Sequence, residues 1–225
     1  MTKRTHEQSL KFFKHRKTHF RGEGRELYKT PIFLIDKIIY FLITYKPELK
    51  NYYWIDPCAG DGRWQKIWEQ YNIQGMSFDI EPLSDIVIKK DFYDLKTNDI
   101  LTDKPLFFIG NPPFKQVKKF VEKSLSLCDM SYFLGGSGIL TGKLSNKVEL
   151  LHRFEGWEGN QKDKRSKMLF EDSNNRQVLV WCCGALFTNS YHNKFIKYKE
   201  IKENTFSAGI RNFILNDDRI IVFKK

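Results

Sequence analysis

The first clear hydrophobic period begins at Ile32, where Ile32, Ile35, Ile38, Ile39 and Leu42 recur three or four positions apart among polar residues. That spacing gathers apolar side chains on one face of a helix. Thr30 before Pro31 reads as an N-cap with proline at the first helical position, so the helix is predicted to start there. The pattern then changes. Tyr52 to Ile55, Gly75 to Pro82, Ile86 to Phe92 and Leu106 to Ile109 are short runs that open on apolar residues and stop at turn or acidic residues. Runs of this kind predict strands buried in a sheet. Lys115 to Leu127 returns to helical spacing, with Val117, Phe120, Val121, Ser124 and Leu125 on one side. A fifth strand is expected within Met130 to Leu140, made irregular by Gly135, Gly136 and Gly138. A short helix from Leu144 to His152, a strong strand from Gln177 to Phe187, and further strands at Phe195 to Ile201 and Arg219 to Phe223 complete the pattern. Strands alternating with helical segments predict an α/β fold, Rossmann-like, with a largely parallel sheet.

Composition adds a partner class. At 225 residues, with 41% hydrophobic and 29% charged residues, the chain suits one large α/β domain with a sizeable core. Its net charge of +11 favours a polyanionic partner such as nucleic acid, the alternative being a basic soluble protein of a lysine-rich proteome. Part of that charge lies in residues 1–27, an arm in which Lys14, Arg16, Lys17 and Arg21 stand among Phe12, Phe13 and Phe20. The arm has helical character from Thr5 to Lys17; it reads either as a phosphate-tracking segment or as a solvated helix packing its Phe pair on the domain formed by residues 28–225. A second basic run, 156–167, holds Trp157, Lys162, Lys164, Arg165 and Lys167 and reads as a phosphate-contacting flap or a solvated hairpin tip. No apolar run is long enough to span a bilayer and no secretory signal is visible, so an intracellular setting, cytoplasmic or with the nucleic acid in nucleoid or nucleus, is expected. The four cysteines lack disulfide or metal spacing, and the five histidines lack ligand pairing; reduced thiols and no metal are expected.

Three stretches carry candidate chemistry. The strand ending at Ile55 runs into Asp56-Pro57-Cys58-Ala59-Gly60-Asp61-Gly62, a strand, glycine turn and helix in the order that binds cofactors beyond strand ends in open α/β sheets. Gly60 and Gly62 permit a tight turn and close backbone approach. The spacing differs from the dinucleotide fingerprint and lacks a phosphate-loop lysine, and an acidic loop suits a cationic, phosphate-free ligand. About 20 residues on, the second strand ends at Asp79, whose carboxylate can accept both ribose hydroxyls of a nucleoside cofactor, with Ile80 against its base; Glu81 competes for that place. The fourth strand delivers Gly110-Asn111-Pro112-Pro113-Phe114. Two prolines stop a strand abruptly, and Pro112 pushes Asn111 into an extended or turn conformation. The Asn111 carbonyl beside the Pro112 carbonyl, with the Phe114 ring two residues on, suits a planar group bearing an amine.

In the order Tyr28-Lys29-Thr30-Pro31, Asp56-Pro57-Cys58-Ala59-Gly60-Asp61-Gly62, Asp79, Asp91-Phe92, Asn111-Pro112-Pro113-Phe114, the chain resembles the class I S-adenosylmethionine-dependent methyltransferases of the adenine-amino type over about residues 28–187. The resemblance implies a seven-stranded, mostly parallel sheet with a reversed last strand and helices on both faces. It implies S-adenosylmethionine as cofactor, held by Tyr28, Thr30, Pro31, Asp56, Cys58, Gly60, Gly62, Asp79, Ile80, Asp91, Phe92 and Asn111. It implies Asn111, Pro112, Pro113 and Phe114 as the catalytic loop and methylation of the N6 amine of an unpaired or flipped adenine in DNA or RNA. Fewer than forty residues follow Phe187, too few for a separate recognition domain; target choice is then expected to come from the arm, the basic loop or a partner chain. Two other classes stay open, a glutamine-amide protein methyltransferase using the same loop and a catalytically silent nucleic-acid-binding subunit of the same fold.

Overall fold

A computed structural model describes residues 28–136, 144, 147–155, 168–172, 176–180, 182–189 and 220–224. Its centre is a sheet of eight strands: β1 (Tyr53–Asp56), β2 (Gly75–Asp79), β3 (Val87–Lys89), β4 (Leu106–Gly110), β5 (Met130–Gly135), β6 (Val148–Glu155), β9 (Cys183–Thr188) and β10 (Ile220–Lys224). The spatial order is β10-β6-β9-β5-β4-β1-β2-β3. The five strands from β3 to β5 run parallel, and β9 is antiparallel to both β5 and β6. The expected seven-stranded sheet with a reversed last strand is therefore present, and β10 extends it at the edge, parallel to β6. The chain starts at β1, steps outward through β2 and β3, and returns to the other side of β1 at β4. Where such an order reverses, a crevice opens beyond the strand ends. Here it opens beyond Asp56 and Gly110.

Alternate residues of the central strands serve opposite faces, as the pleat requires. Trp54, Phe107, Ile109, Tyr132 and Leu134 join one apolar cluster with α1 (Ile32–Tyr45) and α2 (Arg63–Trp68). Ile55, Phe108 and Phe133 join a second cluster with α3 (Val117–Leu125). The α1 stripe buries Leu34, Ile35, Ile38, Ile39, Leu42 and Ile43, each worth roughly 1.5–3 kcal/mol of burial. Helices thus cover both faces of the sheet.

Three expectations need correction. Thr30 does not cap α1: Pro31 occupies the cap position, its carbonyl accepts the Leu34 and Ile35 N–H groups, and no side chain caps the helix. Leu144 to His152 is not a helix, because Val148 onward is strand β6. Val148, Leu150, Leu151 and His152 are all buried in an interior strand whose register shifts between Val148 and Leu150, and a run apolar on both faces has no period that separates strand from helix. Gln177 to Phe187 is two strands: β8 (Gln177–Val180) pairs only with β7 (Met168–Glu171) in a separate hairpin, and β9 enters the main sheet. The predicted arm helix at 5–17, the 156–167 loop and the strand at Phe195 to Ile201 lie outside the described residues.

Candidate active site

Two loops leave the sheet at the crevice, one after β1 and one after β4. The first is a glycine turn in which Gly60 (φ 54°) and Gly62 (φ 74°) adopt the left-handed region that favours glycine. The turn is tied to β2, since Ala59 N–H donates to the Phe78 carbonyl at 2.9 Å and Gly60 N–H to Asp79 Oδ2 at 2.9 Å. The other oxygen of Asp79 accepts the Glu81 N–H at 2.8 Å. The Asp79 carboxylate therefore braces the glycine turn and keeps only its remaining lone pairs for a ligand. Gly62 is further confined because a Cβ there would meet Ile86 at 2.7 Å.

The second loop begins at Gly110, whose backbone lies against the first: a Cβ at this position would stand 2.6 Å from Asp56 Oδ1 and 3.6 Å from the Cys58 sulfur. Asn111 follows, and its Nδ2 donates to the Tyr28 carbonyl at 2.7 Å. A backbone carbonyl can only accept, so this bond fixes which end of the carboxamide is which. Oδ1 is then the remaining acceptor of the carboxamide, and it is buried with no hydrogen-bond partner. The Pro113 carbonyl accepts the Gln116 N–H at 2.7 Å and is used in turning the chain into α3. The Phe114 ring lies between the two apolar clusters and 6.3 Å from the Tyr28 ring.

No protein-family model and no curated protein matches this sequence. Among solved structures, the chain is similar to a Pyrococcus horikoshii protein described as a candidate RNA methyltransferase. The two share 12% identity at a TM-score of 0.52, over 83% of this chain and 98% of that one. It is also similar to the methyltransferase subunit of a type I restriction-modification system from Streptococcus thermophilus, at 10% identity and a TM-score of 0.50, over 90% of this chain and 55% of that one. The chain has a class I methyltransferase fold.

Within that fold, the electrostatics concentrate at the end of β1. Asp56 is wholly buried; its Oδ1 accepts the Cys58 N–H at 3.1 Å and its Oδ2 has no partner. Burial raises its carboxyl from 3.8 to about 8, with the Asp79 and Asp61 charges adding to the rise and the Cys58 bonds opposing it. The protein at neutral pH thus holds a mostly protonated acid at the foot of the crevice, an acid that a bound cation would ionise. Burial also pushes the Cys58 thiol well above its ordinary value, with Asp56 and Asp79 contributing, which favours the neutral thiol over the thiolate. Thr30 is buried and its Oγ1 has no hydrogen-bond partner, which makes it, after Asn111 Oδ1 and Asp56 Oδ2, the third such polar atom at the site.

The remaining predicted residues divide. Ile80 is half exposed beyond β2, open to a ligand. Asp91 caps a single-turn helix by accepting the Tyr93 N–H at 2.8 Å, and Phe92 is core, stacked on Phe120 at 4.9 Å and tilted against Phe108 at 5.5 Å. Phe92 therefore offers no free ring face to a cofactor base. Pro31 opens α1. Of the predicted nucleic-acid contacts, Phe114 is placed as above, whereas Lys14, Arg16, Lys17, Arg21, Trp157, Lys162, Lys164, Arg165 and Lys167 lie outside the described residues. Among the described residues no group of His, Cys, Asp or Glu could hold a metal ion, and no helix is long and apolar enough to cross a membrane.

Sequence reasoning missed Arg63 and Glu171. Arg63 holds Asp61 through Nε at 3.0 Å and Nη2 at 2.7 Å, the Thr30 carbonyl through Nη1 at 2.8 Å, and Glu171 Oε2 at 3.6 Å. The Asp61-Gly62-Arg63 spacing at a helix start was a usable signal for the first bond. Nothing local announces Glu171, which reaches the site from the β7–β8 hairpin.

Proposed function

We propose that the protein transfers a methyl group from S-adenosylmethionine to the exocyclic N6 amine of adenine in nucleic acid, presented unpaired or flipped out. The observation that carries this reading is the Asn111 carboxamide: Nδ2 is committed to the Tyr28 carbonyl, and Oδ1 is a buried acceptor with no protein donor. A buried acceptor without a partner costs about 1–3 kcal/mol, a cost that a bound amine donor removes. The residues around the glycine turn fit the cofactor. Asp56 Oδ2 and Thr30 Oγ1 are unpartnered polar atoms suited to an amino acid's ammonium and carboxylate, and Gly60 and Gly62 present bare backbone at two positions of the turn.

When bound, S-adenosylmethionine supplies an electrophilic methyl on a sulfonium, which departs as a neutral thioether. Asn111 Oδ1 accepts a hydrogen bond from one N–H of the target amine, and the Pro112 carbonyl, the next acceptor along the loop, accepts one from the other N–H. With both N–H bonds directed at fixed acceptors, the nitrogen lone pair is drawn out of conjugation and aimed along the transfer axis. The Phe114 ring stacks on the base, offsetting part of the few kcal/mol needed to unstack it. A carboxamide is too weak a base to keep the proton that nitrogen sheds after transfer, so that proton passes to solvent. The +11 charge supports a nucleic-acid substrate, and the two proteins of this fold named above are described as a candidate RNA methyltransferase and as the methyltransferase subunit of a type I restriction-modification system.

The test is transfer of labelled methyl to matched single-stranded RNA, single-stranded DNA, duplex DNA and total protein, with nucleoside analysis of the product. Label on adenine N6 is expected, and Asn111→Ala should lower kcat by about 10²–10³, the usual cost of one preorganised polar contact, while cofactor affinity stays within about twofold. Label on protein, or a full rate in Asn111→Ala, overturns the proposal.

A further inference from the structure

The acceptor geometry of Asn111 depends on the Tyr28 carbonyl, which belongs to a strap of three residues, Tyr28 to Thr30, far from β4 in sequence. The strap lies ahead of α1, with Tyr28 packed against the first apolar cluster and Thr30 buried. Its anchors are external. Lys29 exchanges two backbone bonds with Glu171 of the β7–β8 hairpin, N–H to carbonyl at 2.8 Å and the reverse at 3.3 Å. The Thr30 carbonyl accepts Arg63 Nη1 at 2.8 Å. Arg63 is itself locked, because two of its nitrogens face the two oxygens of Asp61 and its Nη2 also lies 3.6 Å from Glu171 Oε2. Its side chain is only 16% exposed, so these bonds are partly shielded from water. Burial alone would raise the Asp61 carboxyl, yet the Arg63 bonds and charge outweigh it and hold it below its ordinary value, which marks a firm pair.

We infer that Arg63 is a positioning residue for methyl transfer. From the first turn of α2 it joins the glycine turn, the strap and the hairpin, and through the strap it sets the orientation of the Asn111 carboxamide. The inference rests on the role proposed for Asn111. It makes a distinction that a purely structural role does not: the Arg63 side chain bonds to Asp61, Thr30 and Glu171, and its loss should free the Asn111 carboxamide while leaving the sheet intact. Only a planar fork can face both Asp61 oxygens and a carbonyl at once, so lysine should restore the charge and little of the orientation.

The experiment follows the Asn111 side-chain NH₂ in the unliganded full chain by nitrogen-15 NMR, assigned by its disappearance in Asn111→Ala, together with kcat at saturating S-adenosylmethionine. In Arg63→Met, which keeps the apolar stem, the Asn111 side-chain protons should exchange at least about tenfold faster, while backbone amides of β4 and β5 stay within about twofold. In the same variant kcat should fall by about tenfold or more, with Arg63→Lys closer to Arg63→Met than to wild type. Unchanged Asn111 exchange in a folded Arg63→Met protein overturns the inference. Equal loss of protection at Asn111 and across β4 and β5 also overturns it, showing that Arg63 only supports the fold. If Arg63→Met does not fold, Asp61→Asn, which removes the fixed partner and keeps the guanidinium, takes its place with the same outcomes. A wild-type protein that methylates no adenine while the exchange result holds refutes the proposed function and leaves the strap assignment standing.

Discussion

Asp56→Asn should make the unliganded protein more stable at alkaline pH, in a way that grows with pH at a calculable rate. In the wild type the folded state binds a proton at Asp56 up to about pH 8, whereas the unfolded chain releases it near 3.8. Between those values the folded state carries one proton more, so stability is fully present below pH 3.8 and is lost as pH rises through 8. Each pH unit in that window costs about 1.4 kcal/mol, and pH 7 lies about three units into it, so the buried acid costs the unliganded fold about 4 kcal/mol there. Asparagine keeps an oxygen for the Cys58 N–H and removes the titration. Urea denaturation at pH 5, 6, 7 and 8 reads the difference: the gap in unfolding free energy between Asp56→Asn and wild type should shift in the variant's favour by about 1.4 kcal/mol per unit, about 4 kcal/mol in all. Saturating S-adenosylmethionine should stabilise the wild type and not the variant, because the variant lacks the carboxylate proposed to receive the cofactor's ammonium. Parallel stability curves from pH 5 to 8 would refute both the dry burial of Asp56 and its use as a cation receptor.

The same background exposes a second titration. His152 is buried and neutral, its Nδ1 paired with the Tyr132 hydroxyl at 2.9 Å, and burial lowers it from 6.5 to about 3. Its contribution is present above pH 6.5 and lost as pH falls toward 3, opposite in sign to that of Asp56. The two slopes cancel between about pH 4 and 6.5 in the wild type, so thermal melts there should be flat with respect to this pair, and Asp56→Asn should reveal an acid limb that His152→Gln removes. Gly110→Ala should destabilise by about 1–3 kcal/mol in urea denaturation, since the new methyl stands 2.6 Å from an Asp56 carboxyl that is wholly buried and cannot withdraw; a change under about 0.5 kcal/mol would contradict the close approach.

Much of this arrangement was legible locally. The α1 stripe, the short apolar runs of β1, β2, β3 and β4, the left-handed turn at Gly60 and Gly62, and the abrupt end of β4 at Pro112-Pro113 each follow from constraints that act within a few residues: side-chain period, positive φ and missing donors. Where a strand was apolar on both faces, as at Val148 to His152, the period vanished and helix was read for strand. The break between β8 and β9 escaped for a related reason, since the change of pairing partner is a property of Met168–Glu171 and of β5, not of the run itself.

The sequence by itself determined which residues stand at the strand ends, because burial pattern and turn chemistry are local. Only the tertiary structure decided what those residues do to one another. Asp79 braces the glycine turn, Phe92 fills the core, the Gly110 backbone presses on Asp56, and the Asn111 carboxamide is oriented by a carbonyl 83 residues away. Hydrogen-bond partners and desolvation depend on where the chain returns, and that return is set by the packing of the whole sheet rather than by any stretch of it.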